Sequence, residues 1–489
     1  MLIDEMKYIT PEISLLCFAL LIVVVDLFVT RKGVLPILSV IGALVAAFFT
    51  VGLWGNGGIS AFNNMIAIDQ FGLFFKLLIL ASLVLVVMAS NKYVLKFEKF
   101  QGEYYAVLML SAIGLMLLVS AVNLITIYVS LELSSISLYA LVSFLKDKTS
   151  SEAGLKYLIL GAVASAILLY GMALTFGLTG STGLTAIADY FRTSPVVGAV
   201  SSPLLLTGLV LIIAGFGFKI ASVPFQLWVP DVYEGAPTPI TAYLSVASKA
   251  AGFAVITRIL MTAFGQPDWL HAEWAIIIAV LAALTMTVGN VTALVQTNIK
   301  RLFGYSSIAQ AGYLMVGLAA MGMAMEGNAD IRSGIIFFLF SYALTNLGAF
   351  IAIIAISNKI NSDQIADYTG MGKRSPLLAG ALTLFLVSLT GLPPTAGLIA
   401  KIYIFNGAVD QGLLWLVVIA VINSVISAFY YFRVVKIMWM GEPASQDKVT
   451  SSWPEWTALA VCCVMVVVIG VAPGAFVGLT QAAVKMFGI

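Results

Sequence analysis

The sequence predicts an all-α, polytopic membrane protein. Hydrophobic residues make up 61% of its 489 residues and charged residues only 10%, whereas soluble domains carry roughly 25% charged residues. Apolar stretches of about 20 residues, the length that crosses a bilayer as a helix, recur from one end of the chain to the other. The net charge of +2 gives no reason to expect nucleic acid as a partner. We therefore expect the chain to lie in a lipid bilayer.

About fourteen transmembrane helices are expected, with no long soluble insert between them. The first lacks a strongly basic start and a small-residue cleavage site, so we interpret it as a span and not as a signal peptide. A short interfacial helix is predicted from Leu184 to Arg192. The predicted spans are residues 11–30, 34–54, 69–90, 104–120, 123–144, 154–178, 203–225, 239–263, 274–296, 302–323, 333–356, 376–406, 411–438 and 455–477.

The basic residues in the loops and at the adjoining span ends predict the orientation. With these spans, 16 of them fall on one face and 4 on the other, which by the positive-inside rule places both termini outside the cytoplasm. The first group is Arg31, Lys32, Lys92, Lys96, Lys99, Lys146, Lys148, Lys156, Lys300, Arg301, Lys359, Lys373, Arg374, Arg433, Lys436 and Lys448. The second group is Lys7, Arg192, Arg332 and Lys485.

Two spans are interrupted in a similar way. The seventh has Pro224 five residues after Lys219, and the twelfth has Gly391 and Pro393-Pro394 before Lys401. Proline removes a helical donor, and the freed carbonyls are tolerated within a membrane where a polar cavity satisfies them. Paired broken helices in two halves point to a transport site.

An offset of 182 residues relates the two lysines, and it maps the fifth, seventh and eighth spans onto the tenth, twelfth and thirteenth. A shift of five spans reverses direction across the membrane, so we expect two inverted five-helix repeats, helices 4–8 and 9–13. Chance spacing is the alternative, because prolines are common in membrane helices. The predicted division is an N-terminal three-helix segment, a first repeat, a second repeat and a C-terminal helix, at residues 1–103, 104–265, 266–440 and 441–489.

Four charged residues lie well inside predicted spans: Glu132, Lys219, Lys249 and Lys401. Each costs about 2.5–3.5 kcal/mol at the centre of a membrane helix, so a functional role is expected. A carboxylate about 7 Å from a lysine, at an effective dielectric of about 20, attracts it by about 2.4 kcal/mol. We therefore predict a lateral proton relay through these four residues, completed by water. A structural ion pair or a snorkelling lysine is the alternative for each.

Further polar side chains could line a water path near this relay. They are Ser306, Ser307 and Gln310 in the tenth span, and Tyr139 one helical face from Glu132. Taken singly, each is more often a contact between helices than a proton carrier.

Three other charged residues, Asp26, Lys76 and Arg258, lie nearer to span ends. For these we expect snorkelling towards the membrane surface.

Redox and metal chemistry are not expected on this chain. Cys17, Cys462 and Cys463 lie in apolar segments without CxxC spacing, and His271 is the only histidine. A GxGxxG fingerprint after a strand and a cysteine cluster for iron–sulfur ligation are both missing from the sequence.

The chain resembles the antiporter-like membrane subunits of respiratory NADH-quinone oxidoreductase, complex I. The resemblance is carried by FKIASVPFQLWVPDVYEGAPTPITAYLSVASKAAGF, YSSIAQAGY and GLPPTAGLIAKIY, and it is firmest from about Leu115 to Met440. Within the family, VPDVYEGAPTP is similar to subunit N, since Val232 and Tyr233 stand where subunits L and M usually have a histidine-containing version. The lack of a long C-terminal lateral helix also differs from subunit L.

The resemblance implies roles for matched positions. Glu132 resembles the fifth-helix glutamate of the family, Lys219 its seventh-helix lysine, Lys249 its eighth-helix connecting lysine and Lys401 its twelfth-helix terminal lysine. Gln310 stands near where subunits L and M often have a tenth-helix histidine, so a relay there would use water or hydroxyls.

The resemblance also implies partners and a location. The partners are sister antiporter-like subunits and small membrane subunits, with NADH, FMN, iron–sulfur clusters and quinone on other chains of the complex, and the location is a bacterial cell membrane. Two alternatives stay open. One is a stand-alone or Mrp-type monovalent cation/proton antiporter subunit, and the other is a pump subunit of a ferredoxin- or hydrogenase-linked complex.

Overall fold

The computed structural model describes residues 2–30, 32–55, 58–97, 99–193, 203–265, 268–324, 329–443 and 447–486. Arg31, and residues 194–202 of a predicted loop, lie outside the described residues. The structure is helical throughout apart from one small hairpin, as the composition predicts. This hairpin pairs β1 (Ile59–Ala61) with β2 (Ile66–Ile68) antiparallel.

The helices up to and just beyond the first break cover nearly half of the chain. They are α1 Leu2–Glu5, α2 Thr10–Phe28, α3 Val34–Gly52, α4 Gln70–Tyr93, α5 Gln101–Ser120, α6 Leu124–Val142, α7 Lys148–Thr179, α8 Leu184–Thr193, α9 Pro203–Ile220 and α10 Val229–Gly235. The helix predicted from Leu184 to Arg192 is confirmed as α8.

The remaining helices cover the second half of the chain. They are α11 Thr238–Tyr243, α12 Lys249–Thr262, α13 Asp268–Ala293, α14 Ile299–Met323, α15 Ala329–Ile360, α16 Met371–Arg374, α17 Pro376–Thr390, α18 Ala396–Asp410, α19 Leu414–Met440, α20 Trp453–Val471 and α21 Gly474–Ala482. A π-helical turn, Leu244–Ser248, joins α11 to α12 as one continuous span.

Among the described residues, 13 helices are long and apolar enough to cross a membrane. Each coincides with a predicted span, and the other predicted span is divided between α17 and α18, of 15 residues each. The seventh span is interrupted between α9 and α10. Pro224 lies in the first interruption, and Gly391, Pro393 and Pro394 lie in the second. The chain is thus a polytopic helical membrane protein with two broken helices.

Side chains at the helix starts explain where several spans begin. Asn123 caps α6 by accepting from Ile125 N at 2.9 Å, and Asn298 caps α14 by accepting from Lys300 N at 2.8 Å. Such caps satisfy backbone donors that have no partner inside the helix. Asn123 also forms an antiparallel bridge with Gly183, which follows α7, and Asn298 forms one with Gln364, which follows α15. The starts of α6 and α14 are therefore built in the same way.

These matched features extend over both halves of the molecule. Helices α7 and α15 each contain 32 residues. The bridges use the same pattern of backbone bonds, from Leu124 N to Thr182 O and Leu184 N to Val122 O in the first half, and from Ile299 N to Asp363 O and Ile365 N to Thr297 O in the second. The resemblance of the halves supports the predicted repeat.

The single offset of 182 residues is wrong. The matched caps are 175 residues apart, and the positive-φ residues that end α9 and α17, Ala221 and Gly391, are 170 apart. The spacing changes because the segment between α8 and α9 is longer than the one between α16 and α17. Lys219 therefore precedes its break, whereas Lys401 follows the other one. With the local spacing of 175, Glu132 is matched by Ser307.

Helices α12, α14 and α15 are the most enclosed, with the other helices packed around them. Their side chains are buried almost without interruption from end to end. A polar group on any of these helices faces protein on every side and must find its partners there.

The snorkelling predicted for Lys76 and Arg258 is wrong, since both side chains are buried in ion pairs. Lys76 Nζ lies 2.7 Å from Glu12 Oε1, and Arg258 makes two bonds to Asp69, of 2.6 and 2.9 Å. These pairs join α4 to α2 and α12 to the start of α4. Glu12 is a buried acid within a span, whereas Glu132 is half-buried. Asp26 pairs with Lys32 at 2.7 Å near the end of α2.

We expect Asp69→Asn to destabilise the fold. The amide oxygen can still cap α4, but the buried Arg258 guanidinium loses its counter-charge, which costs about 3 kcal/mol or more in unfolding free energy. The measurement is the temperature at which the detergent-solubilised protein aggregates. Glu442→Gln is the matched control, because the Lys373–Glu442 pair is exposed. Equal midpoints for the two variants would contradict a structural role for the Asp69 pair.

Candidate functional site

The first pair of charges lies beside the broken helix α9–α10. Lys219 is in the last turn of α9, where the carbonyl end of a helix favours a cation. Its Nζ donates to Ser135 Oγ at 3.1 Å. Glu132 is one turn before Ser135 on α6, and its Oε1 accepts from Ser165 Oγ on α7. The structure thus brings Glu132 and Lys219 into one region, where each is bonded to a different serine hydroxyl.

A small cavity separates the two serines. It has a volume of about 10 Å³, and its lining includes Ser135, Tyr139, Ser165 and Lys219. That volume admits about one water molecule, which needs two to four polar partners. The cavity therefore lies between the hydroxyl that bonds Glu132 and the hydroxyl that bonds Lys219. The geometry permits proton exchange between the hydroxyls and leaves the attraction between the two charges adjustable.

Lys249 begins α12, immediately after the π-helical turn. Such turns interrupt the regular backbone ladder and occur frequently at functional sites. The Nζ atom donates to both the carbonyl and the hydroxyl of Ser307 on α14. It also lies 5.9 Å from the ring centre of Tyr342. Ser307 is further bonded to Tyr233 OH at 3.1 Å.

Lys219 and Lys249 belong to adjoining helix surfaces. A Cβ atom placed on Gly252, one turn after Lys249, would lie 3.3 Å from Lys219 Cγ. The stem of Lys219 therefore runs against α12 one turn away from Lys249.

Lys401 reaches back from α18 to the end of α17. Its Nζ donates to Leu389 O at 3.2 Å, to Thr390 O at 2.8 Å and to Ser424 Oγ at 3.0 Å, and it lies 4.6 Å from the ring centre of Tyr313. The carbonyls at the end of a helix have no partner within it. The three N–H donors of the ammonium are thus satisfied by neutral acceptors, two of them carbonyls that the helix break exposes and one a hydroxyl on α19.

Three of the four side chains predicted to line a water path lie beside the charges. Ser307 contacts Lys249, and Tyr139 lines the cavity at Lys219. Gln310 donates to Leu389 O at 3.1 Å, the same carbonyl that accepts from Lys401. Ser306 is different, because it bonds to Tyr431 on α19.

Sequence reasoning missed several side chains of the site. Ser135 could have been found from its place one turn after Glu132. Ser165, Tyr342 and Ser424 lie on other helices, and nothing in their sequence surroundings assigns them to the lysines. Their positions follow from how the helices pack.

An ion network anchors the half-helix α10. Asp231 accepts from Lys156 on α7 at 2.7 Å and from Arg301 on α14 at 2.8 Å, and Arg301 also bonds Glu234 at 2.8 Å. The two cations supply the counter-charge for the partly buried Asp231 carboxylate. The same half-helix carries Tyr233, so its position relative to Ser307 depends on these pairs.

Metal ligands are not grouped in the part of the chain that the structure describes. No three or more His, Cys, Asp or Glu side chains lie together among those residues in a way that could hold an ion. Cys462 and Cys463 lie on α20 as free thiols.

Comparison with known proteins identifies the family. Residues 121–427, which include all four charges, match the membrane family described as "NADH:quinone oxidoreductase/Mrp antiporter, TM". The chain is 48% identical to NADH-quinone oxidoreductase subunit N of Dehalococcoides mccartyi, over 97% of this chain and 98% of that one.

Two solved structures are also similar. A chain of respiratory complex I from Thermus thermophilus is 30% identical, with a TM-score of 0.79, covering 97% of this chain and 100% of that one. A chain of an archaeal membrane-bound sulfane sulfur reductase is 25% identical, with a TM-score of 0.87, covering 98% and 97%. With its broken helices, its buried lysines and these similarities, the chain belongs to the NADH:quinone oxidoreductase/Mrp antiporter family of membrane subunits.

Proposed function

We propose that this chain is a proton-translocating membrane-arm subunit, of the N type, in an NADH-quinone oxidoreductase. One observation carries the proposal. Lys219, Lys249 and Lys401 are buried, and their amines are held by hydroxyls and carbonyls. Within the described residues, no carboxylate lies within 4.0 Å of them, whereas Lys76 and Arg258 each have one.

This difference separates relay groups from structural ones. Deprotonating a lysine in a direct ion pair leaves a buried carboxylate without a counter-charge, which is strongly unfavourable. A lysine bound to hydroxyls and carbonyls can lose its proton without stranding a buried charge. The three lysines are therefore suited to exchange protons, and the paired cations are suited to hold helices together.

Glu132 would set how tightly Lys219 keeps its proton. A carboxylate at about 7 Å contributes about 2.4 kcal/mol at an effective dielectric of about 20, enough to change proton occupancy more than tenfold. A change in the contact between Glu132 and Ser165 would weaken or strengthen that attraction. The proton would then pass towards Lys249, Ser307 and Lys401.

The energy would come from partner chains. NADH, FMN, iron–sulfur clusters and quinone are assigned to other subunits, and this chain would receive the energy through contacts with sister antiporter-like subunits and small membrane subunits. The excess of basic residues on one face supports an orientation with both termini on the non-cytoplasmic side. The membrane would be a bacterial cell membrane.

The main alternative is a Mrp-type or stand-alone subunit exchanging sodium or potassium for protons. Hard cations require several oxygen ligands, often carboxylates. One carboxylate and three lysines at the site favour protons instead. A pump subunit in a ferredoxin- or hydrogenase-linked complex would use the same relay with another electron donor.

Replacing Lys219 by Met should abolish proton pumping, because the side chain keeps its bulk but cannot carry a proton. Glu132→Gln should reduce pumping strongly by removing the attraction that adjusts Lys219. The measurement is NADH-driven acidification of membrane vesicles, with assembled enzyme quantified on native gels. Lys359→Met, at the end of α15, is the control. Wild-type pumping by Lys219→Met would defeat the proposal.

Gly391→Ala tests the position of Lys401. At φ +90° the new Cβ would be strained and would lie 2.9 Å from Lys401 Cδ, displacing the amine from its carbonyls. We expect pumping to fall severalfold. Gly412→Ala is the matched control, since its φ is +76° but nothing lies within 4 Å of the added Cβ. Equal losses in both variants would indicate backbone strain alone.

The choice of ion is tested with the same vesicles. If protons alone are carried, the rate of NADH-driven acidification will be unchanged when sodium is replaced by potassium or by choline. A rate that requires one of the metal cations, or cation/proton exchange without NADH, would favour the antiporter.

A further inference from the structure

We propose that the phenol of Tyr342 carries protons between Lys249 and Lys401 and so joins the two halves of the relay. This inference rests on the proposed function. Tyr342 lies near the middle of α15, one of the most enclosed helices, and its side chain is buried. It has contacts towards both lysines.

The first contact is through Ser307. Tyr342 OH donates to Ser307 Oγ at 3.3 Å, and that hydroxyl also accepts from Lys249 Nζ. The amine lies 5.9 Å from the centre of the Tyr342 ring. One serine hydroxyl thus separates the amine from the phenol.

The second contact is through a cavity beside Lys401. This cavity has a volume of about 10 Å³, room for about one water. Its polar lining residues are Gln310, Ser341, Tyr342, Thr345, Ser388 and Lys401.

Ser341 provides independent evidence that this cavity is hydrated. Within the described part of the chain, its buried Oγ has no hydrogen-bond partner. A buried hydroxyl without a partner is costly, and a water in the cavity would satisfy it. The same water could bridge Tyr342 and Lys401, because a neutral lysine amine accepts a hydrogen bond through its lone pair.

The transfer balances without any co-reactant. The Ser307 hydroxyl first turns to donate to Tyr342, and the Tyr342 hydroxyl turns to donate to the cavity water. A proton leaving the Lys249 ammonium then joins the Ser307 oxygen, as the proton of that hydroxyl moves to the Tyr342 oxygen. The phenolic proton of Tyr342 passes to the cavity water, and one proton of that water passes to the neutral amine of Lys401. Lys249 ends as an amine and Lys401 as an ammonium, while the serine, the tyrosine and the water are restored. The reverse sequence carries a proton the other way.

Tyr233 is the other phenol bonded to Ser307, but it suits this role less well. It lies on the half-helix α10, and it is not part of the lining of the cavity beside Lys401. Tyr342 alone combines the serine contact with that cavity among the described tyrosines.

Tyr342→Phe tests the inference, since it removes the hydroxyl and keeps the ring. We expect the initial rate of NADH-driven vesicle acidification to fall by about a hundredfold or more, because a positioned proton donor typically contributes about 10²–10⁴-fold. Tyr104→Phe is the matched control, because Tyr104 OH is likewise buried and bonded to a serine, Ser90 Oγ, at 3.0 Å. It should pump as the wild type does at equal content of assembled enzyme.

Lys249→Met distinguishes this inference from the proposed function. If Lys249→Met fails to pump while Tyr342→Phe pumps normally, the tyrosine is not on the path and only this inference is overturned. If Lys249→Met pumps normally, the relay itself is wrong. An equal loss in Tyr104→Phe would also overturn the inference, since any buried hydroxyl would then matter. Should Tyr342→Phe not assemble, Ser307→Ala removes the adjoining hydroxyl and is judged by the same criteria.

Discussion

The structure depends on how buried basic side chains find hydrogen-bond acceptors in an interior that offers no bulk water. Two solutions coexist. Lys76 and Arg258 are neutralised by carboxylates and fasten α2, α4 and α12 to one another. Lys219, Lys249 and Lys401 are solvated by hydroxyls and by carbonyls instead. The first arrangement keeps the side chain permanently charged, and the second allows the amine to gain or lose a proton.

Helix breaks supply much of that neutral solvation. A regular helix uses its carbonyls internally, but the last turn of α17 leaves those of Leu389 and Thr390 available, and Lys401 binds both. Lys219 reaches a comparable place from within the last turn of α9. The two halves thus place an amine at the carbonyl end of a half-helix, although the lysines occupy different positions relative to the breaks. What the halves share is the electrostatic environment and not a fixed spacing in the chain.

The half-helix α10 carries both the ion network and Tyr233, which contacts the surroundings of Lys249. Asp231 and Glu234 hold the half-helix against α7 and α14, and Tyr233 between them contacts Ser307. A movement of α10 would therefore change the surroundings of Lys249 directly. Rigid half-helices with charged anchors can transmit a displacement that flexible loops would absorb.

The sequence by itself determined the membrane class, the spans, the two breaks and the four charged positions, because apolar length, proline and charge act locally along the chain. Family membership followed from motifs that the chain carries in order. Tertiary structure decided the partners: Ser165 for Glu132, Ser307 for Lys249, and the α17 carbonyls for Lys401. It also corrected Lys76 and Arg258, whose counter-charges lie on other helices. These partners could not be predicted from the sequence, because contacts between helices depend on packing that no local pattern records. The roles of the four charges stay predictions.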